Sequence, residues 1–146
     1  MSLLSFVKEA GEKLLDLLTP GNANASEQLK EHISKVGLGN PNVQATVDGD
    51  KVTVTGEVAS QEEKEKILLA VGNIAGVGSV DDQITVTGPV VVAAKFVVVE
   101  KGDTLSAISL RVYGDANKYQ KIFEANKPML KDANKIYPGQ SLRIPE

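Results

Sequence analysis

The sequence has no cysteine, no tryptophan and a single histidine among its 146 residues. Without cysteine the chain can form neither a disulfide framework nor a thiolate zinc site, and a cysteine nucleophile is excluded. Aromatic residues make up only 4% of the chain, so aliphatic side chains must fill the interior. No apolar stretch approaches the roughly 20 residues that a membrane-spanning helix needs, so we expect no stable membrane insertion.

Charge is distributed unevenly along the chain. Residues 1–94 carry 7 basic and 13 acidic side chains, whereas residues 95–146 carry 9 basic and 6 acidic ones. Opposite net charges favour contact between the two halves. Neither half has the dense stripe of Lys and Arg that nucleic-acid binding needs, so no nucleic-acid partner is expected. The first residues lack the basic region of a secretory signal peptide, which predicts a cytoplasmic protein.

The N-terminal half has the pattern of helices packed on a small sheet. Apolar side chains at helical spacing predict an amphipathic helix within residues 1–22: Leu3, Val7, Ala10, Leu14 and Leu17. Two runs of alternating apolar residues flank Asp48-Gly49-Asp50 and predict a β-hairpin. Ser60 begins a capping box for the next helix, and a strand follows over residues 80–86.

The C-terminal part has a compact βααβ pattern. Residues 96–99 predict a strand, and Thr104 or Asp103 is a suitable N-cap for the following helix. A second helix is predicted from Asn117, with Tyr119 available for the core. A last strand completes the pattern.

Two groups of motifs resemble known families. The N-terminal half resembles a BON domain through VDGDKVTVTGEVASQEEKEKI and GVGSVDDQITV. The C-terminal part resembles a LysM domain through VVEKGDTLSAIS, IFEANKP and IYPGQSLRIP. The whole chain resembles a bacterial family of small cytosolic potassium-binding proteins in which BON precedes LysM. The segments SFVKEAGEKL and AVGNIAGVGSVDDQ are the more specific part of this likeness.

The predicted fold is therefore α+β. It has a BON domain, with helices packed on a small mixed sheet, followed by a small βααβ LysM domain. The expected segments are an N-terminal helix docking on BON (1–22), the BON domain (23–88), a linker (89–94) and the LysM domain (95–146). The sequence has no phosphate loop, dinucleotide fingerprint or paired serine and histidine in one segment, so we expect no enzyme. We also expect a monomer.

Potassium is a large monovalent ion, and selective protein sites replace its hydration shell with backbone carbonyl oxygens. The last carbonyls of a helix lack donors within the helix and carry the negative end of its dipole. Residues 72–77 follow this pattern, and a helix break at Gly11 would release carbonyls in the same way. The same glycine-rich stretch is also compatible with an ordinary helix end and turn.

The family resemblance implies a potassium ion held by the main-chain carbonyls of five residues: Val7, Ala10, Gly72, Ile74 and Val77. It also implies two alternatives to an ion sensor. LysM domains often bind N-acetylglucosamine glycans such as peptidoglycan, here between residues 102–105 and 126–136. BON domains often contact phospholipid, and a role as a protein adaptor in stress response is the remaining alternative.

Three further features receive structural interpretations. His32 has neither a cysteine nor a second histidine near it, so a zinc or catalytic role is not expected. The charged run Glu62 to Lys66 predicts a solvated helix face. Asp81-Asp82 lacks the spacing of a calcium loop and predicts a solvated turn.

Overall fold

The computed structural model describes residues 2–6, 25–38, 42–74, 77–89, 94–127, 129–132 and 134–145. Within these residues, the elements of the N-terminal domain are β1 Ser2–Ser5, α1 Ala25–Ile33, β2 Val43–Asp48, β3 Lys51–Val58, α2 Gln61–Gly72 and β4 Ser79–Val86. A π-helical turn, Ser34–Leu38, follows α1. The elements of the C-terminal domain are β5 Lys95–Val98, α3 Leu105–Tyr113, α4 Tyr119–Ala125 and β6 Ser141–Ile144, with a 3-10 turn at Ala116–Lys118. This arrangement is the predicted α+β fold.

The N-terminal strands form a mixed sheet in the order β1-β4-β3-β2. β2 and β3 form the predicted hairpin, with a positive φ of 64° at Gly49 in its turn. β3 and β4 are parallel, so the chain crosses over between them, and α2 forms this crossover. Ser60 caps α2, because its hydroxyl accepts a hydrogen bond from the Glu63 N–H at 3.1 Å.

The first residues differ from their prediction. Residues 2–5 form strand β1 rather than the start of a helix, and they pair antiparallel with β4. Without β1, the outer edge of β4 would expose a row of unpaired N–H and C=O groups. The pairing therefore prevails over the local helical spacing. The remainder of the helix predicted within residues 1–22 lies outside the described residues.

Both helices of the N-terminal domain pack on the sheet and on each other. The core between them is mainly aliphatic and includes Leu29, Ile33, Val52, Val54, Ile67, Val71 and Val80. Each of these buried side chains contributes roughly 1.5–3 kcal/mol to stability. Among the described residues, no helix has the length and apolar composition needed to cross a membrane.

The C-terminal domain places two helices against the β5–β6 ladder. Thr104 is the N-cap of α3 and accepts from the Ala107 N–H at 3.1 Å, whereas Asp103 accepts from the Glu100 N–H at 2.9 Å. The core position predicted for Tyr119 is wrong, because this side chain is 39% exposed. α4 begins at Tyr119, after a 3-10 turn, so its inward face starts later than the helical pattern predicts.

Candidate functional site

The candidate ion-binding residues in the described part of the chain lie at the C-terminal end of α2. Gly72 is the last helical residue, and the Asn73 N–H closes the final turn by donating to the Leu69 carbonyl at 2.9 Å. The chain then turns tightly, because the Val77 N–H donates to the Ile74 carbonyl at 3.1 Å. Ile74 and Val77 have no exposed surface, and Gly72 is buried. The structure thus brings Gly72, Ile74 and Val77 into one buried turn.

The carbonyl oxygens of this turn differ in their hydrogen bonds. The Ile74 carbonyl accepts from the Val77 N–H. Among the described residues, the hydrogen bonds outside helices and strands include none to the carbonyls of Gly72 or Val77. The Gly72 carbonyl belongs to the last turn of α2, where the helix dipole is negative. Neutral oxygens in such a field suit a monovalent cation. The part of the chain that the structure describes has no group of three or more His, Asp or Glu side chains that could hold a metal ion.

Phe6 joins the N-terminal segment to this turn. Its N–H donates to the Gly78 carbonyl at 2.9 Å, and its ring covers Gly72. A Cβ placed on Gly72 would lie 2.1 Å from two ring carbons of Phe6, so only glycine admits the ring at this distance. Val7, the next residue in the chain, and Ala10 lie outside the described residues.

Asn73 connects the same turn to the C-terminal domain. Its side-chain nitrogen donates to the Ser141 carbonyl at 2.9 Å, and its side-chain oxygen accepts from the Ser141 N–H at 2.8 Å. Both residues are buried. The amide of Asn73 therefore contacts β6 as a neighbouring strand would. Asn73 lies between two of the candidate ligands, Gly72 and Ile74, and it is hydrogen-bonded to the C-terminal domain.

Asn126 repeats this arrangement within the C-terminal domain. Its side-chain oxygen accepts from the Arg143 N–H at 2.7 Å, and its nitrogen donates to the Arg143 carbonyl at 2.9 Å. Ser141 and Arg143 are alternate residues of β6, whose backbone groups face the same edge of the strand. Two asparagines, one from each domain, thus satisfy backbone groups that β6 would otherwise leave unpaired.

A buried ion pair crosses the domain interface beside these contacts. The Glu65 carboxylate lies 2.7 Å from Nε of Arg143, and the two side chains are 4% and 12% exposed. The same carboxylate accepts from the Ala94 N–H at 2.8 Å. The prediction of a solvated face is therefore wrong for Glu65, because α2 packs against β6 on this side. On the solvated side, a hydrogen bond from Lys66 holds the pKa of Glu62 below its ordinary value.

We expect Glu65→Ala to lower the free energy of unfolding by about 3–5 kcal/mol, because it leaves the Arg143 guanidinium largely buried without its partner. Chemical denaturation monitored by circular dichroism measures this loss. Glu62→Ala is the matched control on the same helix. It removes a pair between the exposed Glu62 carboxylate and the partly buried Lys66 ammonium, 2.9 Å apart, and should cost about 1 kcal/mol or less. Equal effects of the two substitutions would contradict a role of the buried pair in domain docking.

Two other polar residues have structural roles. His32 is buried in α1, at 5% exposure. Asp82 lies in strand β4 and not in a solvated turn, so that prediction is wrong. Its carboxylate is 2.9 Å from the Lys64 ammonium and accepts from the Ile84 N–H at 3.1 Å. Asp82 lies on the buried face of β4, on which α2 packs, and Lys64 of α2 compensates its charge.

Sequence patterns did not identify three residues that organise the site. Phe6 has the spacing of neither a helix stripe nor a strand, although it is one of only three phenylalanines in the chain. Asn73 is a polar residue in the otherwise apolar stretch at the end of α2, and this could have indicated a buried polar contact. Arg143 lies in a segment with a strand pattern, and that pattern does not indicate which residue pairs with its charge. All three act through contacts between residues distant in sequence.

The comparisons with known proteins agree with this architecture. The BON domain family model matches residues 22–88, and the LysM domain family model matches residues 97–145. Potassium binding protein Kbp of Escherichia coli O6:H1 is 56% identical over 150 aligned residues, which cover all of this chain and 99% of that protein. Uncharacterized protein YqbP of Bacillus subtilis is 40% identical over 63 residues, or 37% of this chain and 29% of that protein. This chain therefore belongs to the family of Potassium binding protein Kbp, with a BON domain followed by a LysM domain.

Proposed function

We propose that this protein is a non-enzymatic, monomeric potassium-binding protein of the cytoplasm. The ion is held by the main-chain carbonyls of Val7, Ala10, Gly72, Ile74 and Val77. The Escherichia coli relative is named a potassium-binding protein, and it matches this chain along its whole length. Binding orders the N-terminal segment and the turn after α2 around the ion.

The contact of Phe6 with the end of α2 carries this proposal. Its ring lies on Gly72, at the start of the α2–β4 connection, and its N–H donates to the carbonyl of Gly78, at the end of that connection. Val7 is covalently attached to this anchored residue. The proposed ligands fall into two groups, one in the N-terminal segment and one at the end of α2. The contact between Phe6 and Gly72 already joins these two segments.

Main-chain coordination supports potassium over divalent ions. Calcium and magnesium prefer sites rich in carboxylates, and the proposed ligands include none. Carbonyl oxygens at a helix end provide partial negative charge without a full ionic group, which suits a weakly hydrated monovalent ion. The buried setting of Ile74 and Val77 keeps bulk water from competing for these oxygens.

The proposed ion acts as a clamp whose effect reaches the LysM domain. Asn73 lies between two ligand residues and bonds to β6, so ordering of the turn also fixes the position of the Asn73 amide. A ligand that binds only the ordered state stabilises that state. The stabilisation is about 2.7 kcal/mol when the ligand concentration is 100 times the dissociation constant. Potassium should therefore strengthen domain docking together with the local turn.

Calorimetric titration of the desalted protein with potassium chloride, with sodium chloride as the matched control, tests the proposal. We expect saturable heat with potassium and only dilution heat with sodium. Thermal unfolding at constant ionic strength should show a higher midpoint in potassium than in sodium. Identical featureless heats for both salts, with no difference in midpoint, would contradict the proposed function.

The alternatives from the sequence stay predictions. They are binding of N-acetylglucosamine glycan through the LysM domain, and a phospholipid or protein adaptor role. Titration with chitin oligomers and with anionic vesicles in the same calorimeter tests the two ligands directly.

A further inference from the structure

A cleft lies between the two domains, next to the contact of Asn73 with β6. Its volume is about 320 Å³, which is at the lower end of the range of small-molecule sites. α1, its π-helical turn and α2 form one wall, and the segment from Met129 to Gln140 forms the other. The sequence predicts a glycan groove between residues 102–105 and 126–136; the second of these stretches contributes to this cleft, whereas residues 102–105 do not line it.

The cleft has an apolar part beside polar lining residues such as His32, Asn73 and Tyr137. Val36 and Ala70 of the N-terminal domain face Met129 and Leu130 of the C-terminal domain across it. Met129 packs against the cores of both domains. Such a lining favours a ligand with an apolar or planar body, because it removes apolar surface from water.

Three lysines give the cleft a positive charge. Lys35, Lys131 and Lys135 line it and are exposed, and Asp132 is the one acidic residue of the lining. The described part of the chain contains no ion pair for these three ammonium groups. Ammonium groups from both domains along one cleft suit an anion, and phosphate in particular, since its several oxygens can accept from more than one donor.

Gln140 provides an independent indication of a ligand. The residue is 4% exposed, and its side-chain oxygen has no hydrogen-bond partner. Its main chain is satisfied, because its N–H donates to the Tyr137 carbonyl at 3.1 Å and its carbonyl accepts from the Val99 N–H at 2.8 Å. Gln140 is also one of the residues that line the cleft. A bound N–H or O–H donor would then complete its hydrogen bonding.

We propose that this interdomain cleft binds a small phosphorylated metabolite with an apolar or planar body, of the size of a nucleoside monophosphate. The phosphate lies among Lys35, Lys131 and Lys135, the body lies between Ala70 and Met129, and a ligand N–H or O–H donates to Gln140. Among the described residues, none of the proposed potassium ligands lines the cleft, but Asn73, which lies between Gly72 and Ile74, does.

Nuclear magnetic resonance titration of the ¹⁵N-labelled full chain tests this site, in a fixed potassium chloride concentration. The probes are adenosine 5′-monophosphate, adenosine and inorganic phosphate. We expect adenosine 5′-monophosphate to shift the amides of residues 129–140 and Ala70 saturably. Adenosine and inorganic phosphate should each bind at least about tenfold more weakly, because each lacks one of the two contacts. Equal binding of either fragment, no saturable shift, or shifts confined to residues 102–105 would overturn the proposal.

Two variants separate binding from folding. Lys131→Gln/Lys135→Gln should weaken the binding of adenosine 5′-monophosphate about tenfold, whereas the matched control Lys101→Gln/Lys118→Gln should leave it unchanged. Gln140→Met removes the unpaired oxygen, so it should weaken binding several-fold without lowering the unfolding midpoint. Equal effects of the two lysine pairs, or a Gln140→Met variant that loses stability but binds normally, would overturn the proposal.

Discussion

Replacing Gly72 by alanine should weaken potassium binding about 5- to 150-fold and destabilise the protein, although alanine is the better helix former. The new methyl group would lie 2.1 Å from Phe6 ring carbons, so the ring must leave its place. Overpacking of this kind costs about 1–3 kcal/mol. Displacing Phe6 also displaces the segment that carries Val7 and Ala10 in the proposed clamp. Calorimetric titration with potassium chloride and denaturant unfolding measure the two effects.

A double-mutant cycle with Phe6→Ala tests whether the contact itself is responsible. Phe6→Ala alone should cost about 3–5 kcal/mol, as for other buried aromatic truncations. Adding Gly72→Ala should then do little further harm, because the clashing ring is absent, and the two effects will not add. Gly49→Ala is the control for an unrelated glycine. Its φ of 64° makes alanine strained, yet nothing lies within 4 Å of the new Cβ. Additive losses, or normal potassium affinity of Gly72→Ala, would contradict the clamp.

Replacing Asn73 by alanine should separate the two domains and disconnect the LysM domain from potassium. The substitution removes both partners of the Ser141 backbone, which is 2% exposed. A buried unpaired donor or acceptor costs about 1–3 kcal/mol each. Opening of the interface would let water satisfy these groups, so we expect a larger radius of gyration by small-angle X-ray scattering. Potassium-induced shifts of β6 amides should disappear from the magnetic resonance spectrum.

Asn126→Ala provides the matched control. This residue makes the same two contacts with Arg143 and in addition donates to the Ile122 carbonyl at 2.8 Å, all within the C-terminal domain. Its loss should lower the stability of that domain while leaving the potassium-induced shifts at residues 72–78 and in β6. If Asn73→Ala retained the β6 response to potassium, coupling through this amide would be wrong.

The elements that the sequence predicted well are those with local causes. The β2–β3 hairpin follows from alternating apolar residues around Gly49, and α2 begins where Ser60 can cap it. The α3 cap at Thr104 has the same local origin. Strand β1 was missed because its stability comes from the open edge of β4, which no pattern within residues 2–5 reveals.

The candidate site divides in the same way. The glycine-rich end of α2 is visible in the sequence, because helix ends leave carbonyls without donors wherever they occur. The residues proposed as ligands at Gly72, Ile74 and Val77 follow from the family resemblance. That Phe6 lies on Gly72 is decided by packing between segments more than 60 residues apart in the chain.

Composition and short-range periodicity were enough to predict the α+β class, the order of the two domains, the aliphatic cores and the exclusion of cysteine chemistry. Three features depend on contacts between distant parts of the chain. Glu65 is buried against Arg143, Asn73 is hydrogen-bonded to β6, and Gln140 has an unpaired side-chain oxygen beside a cleft. A charged or polar side chain has the same local pattern on a solvated surface and at a domain interface. The physical difference is the partner that the fold brings to it, and periodicity carries no information about that partner.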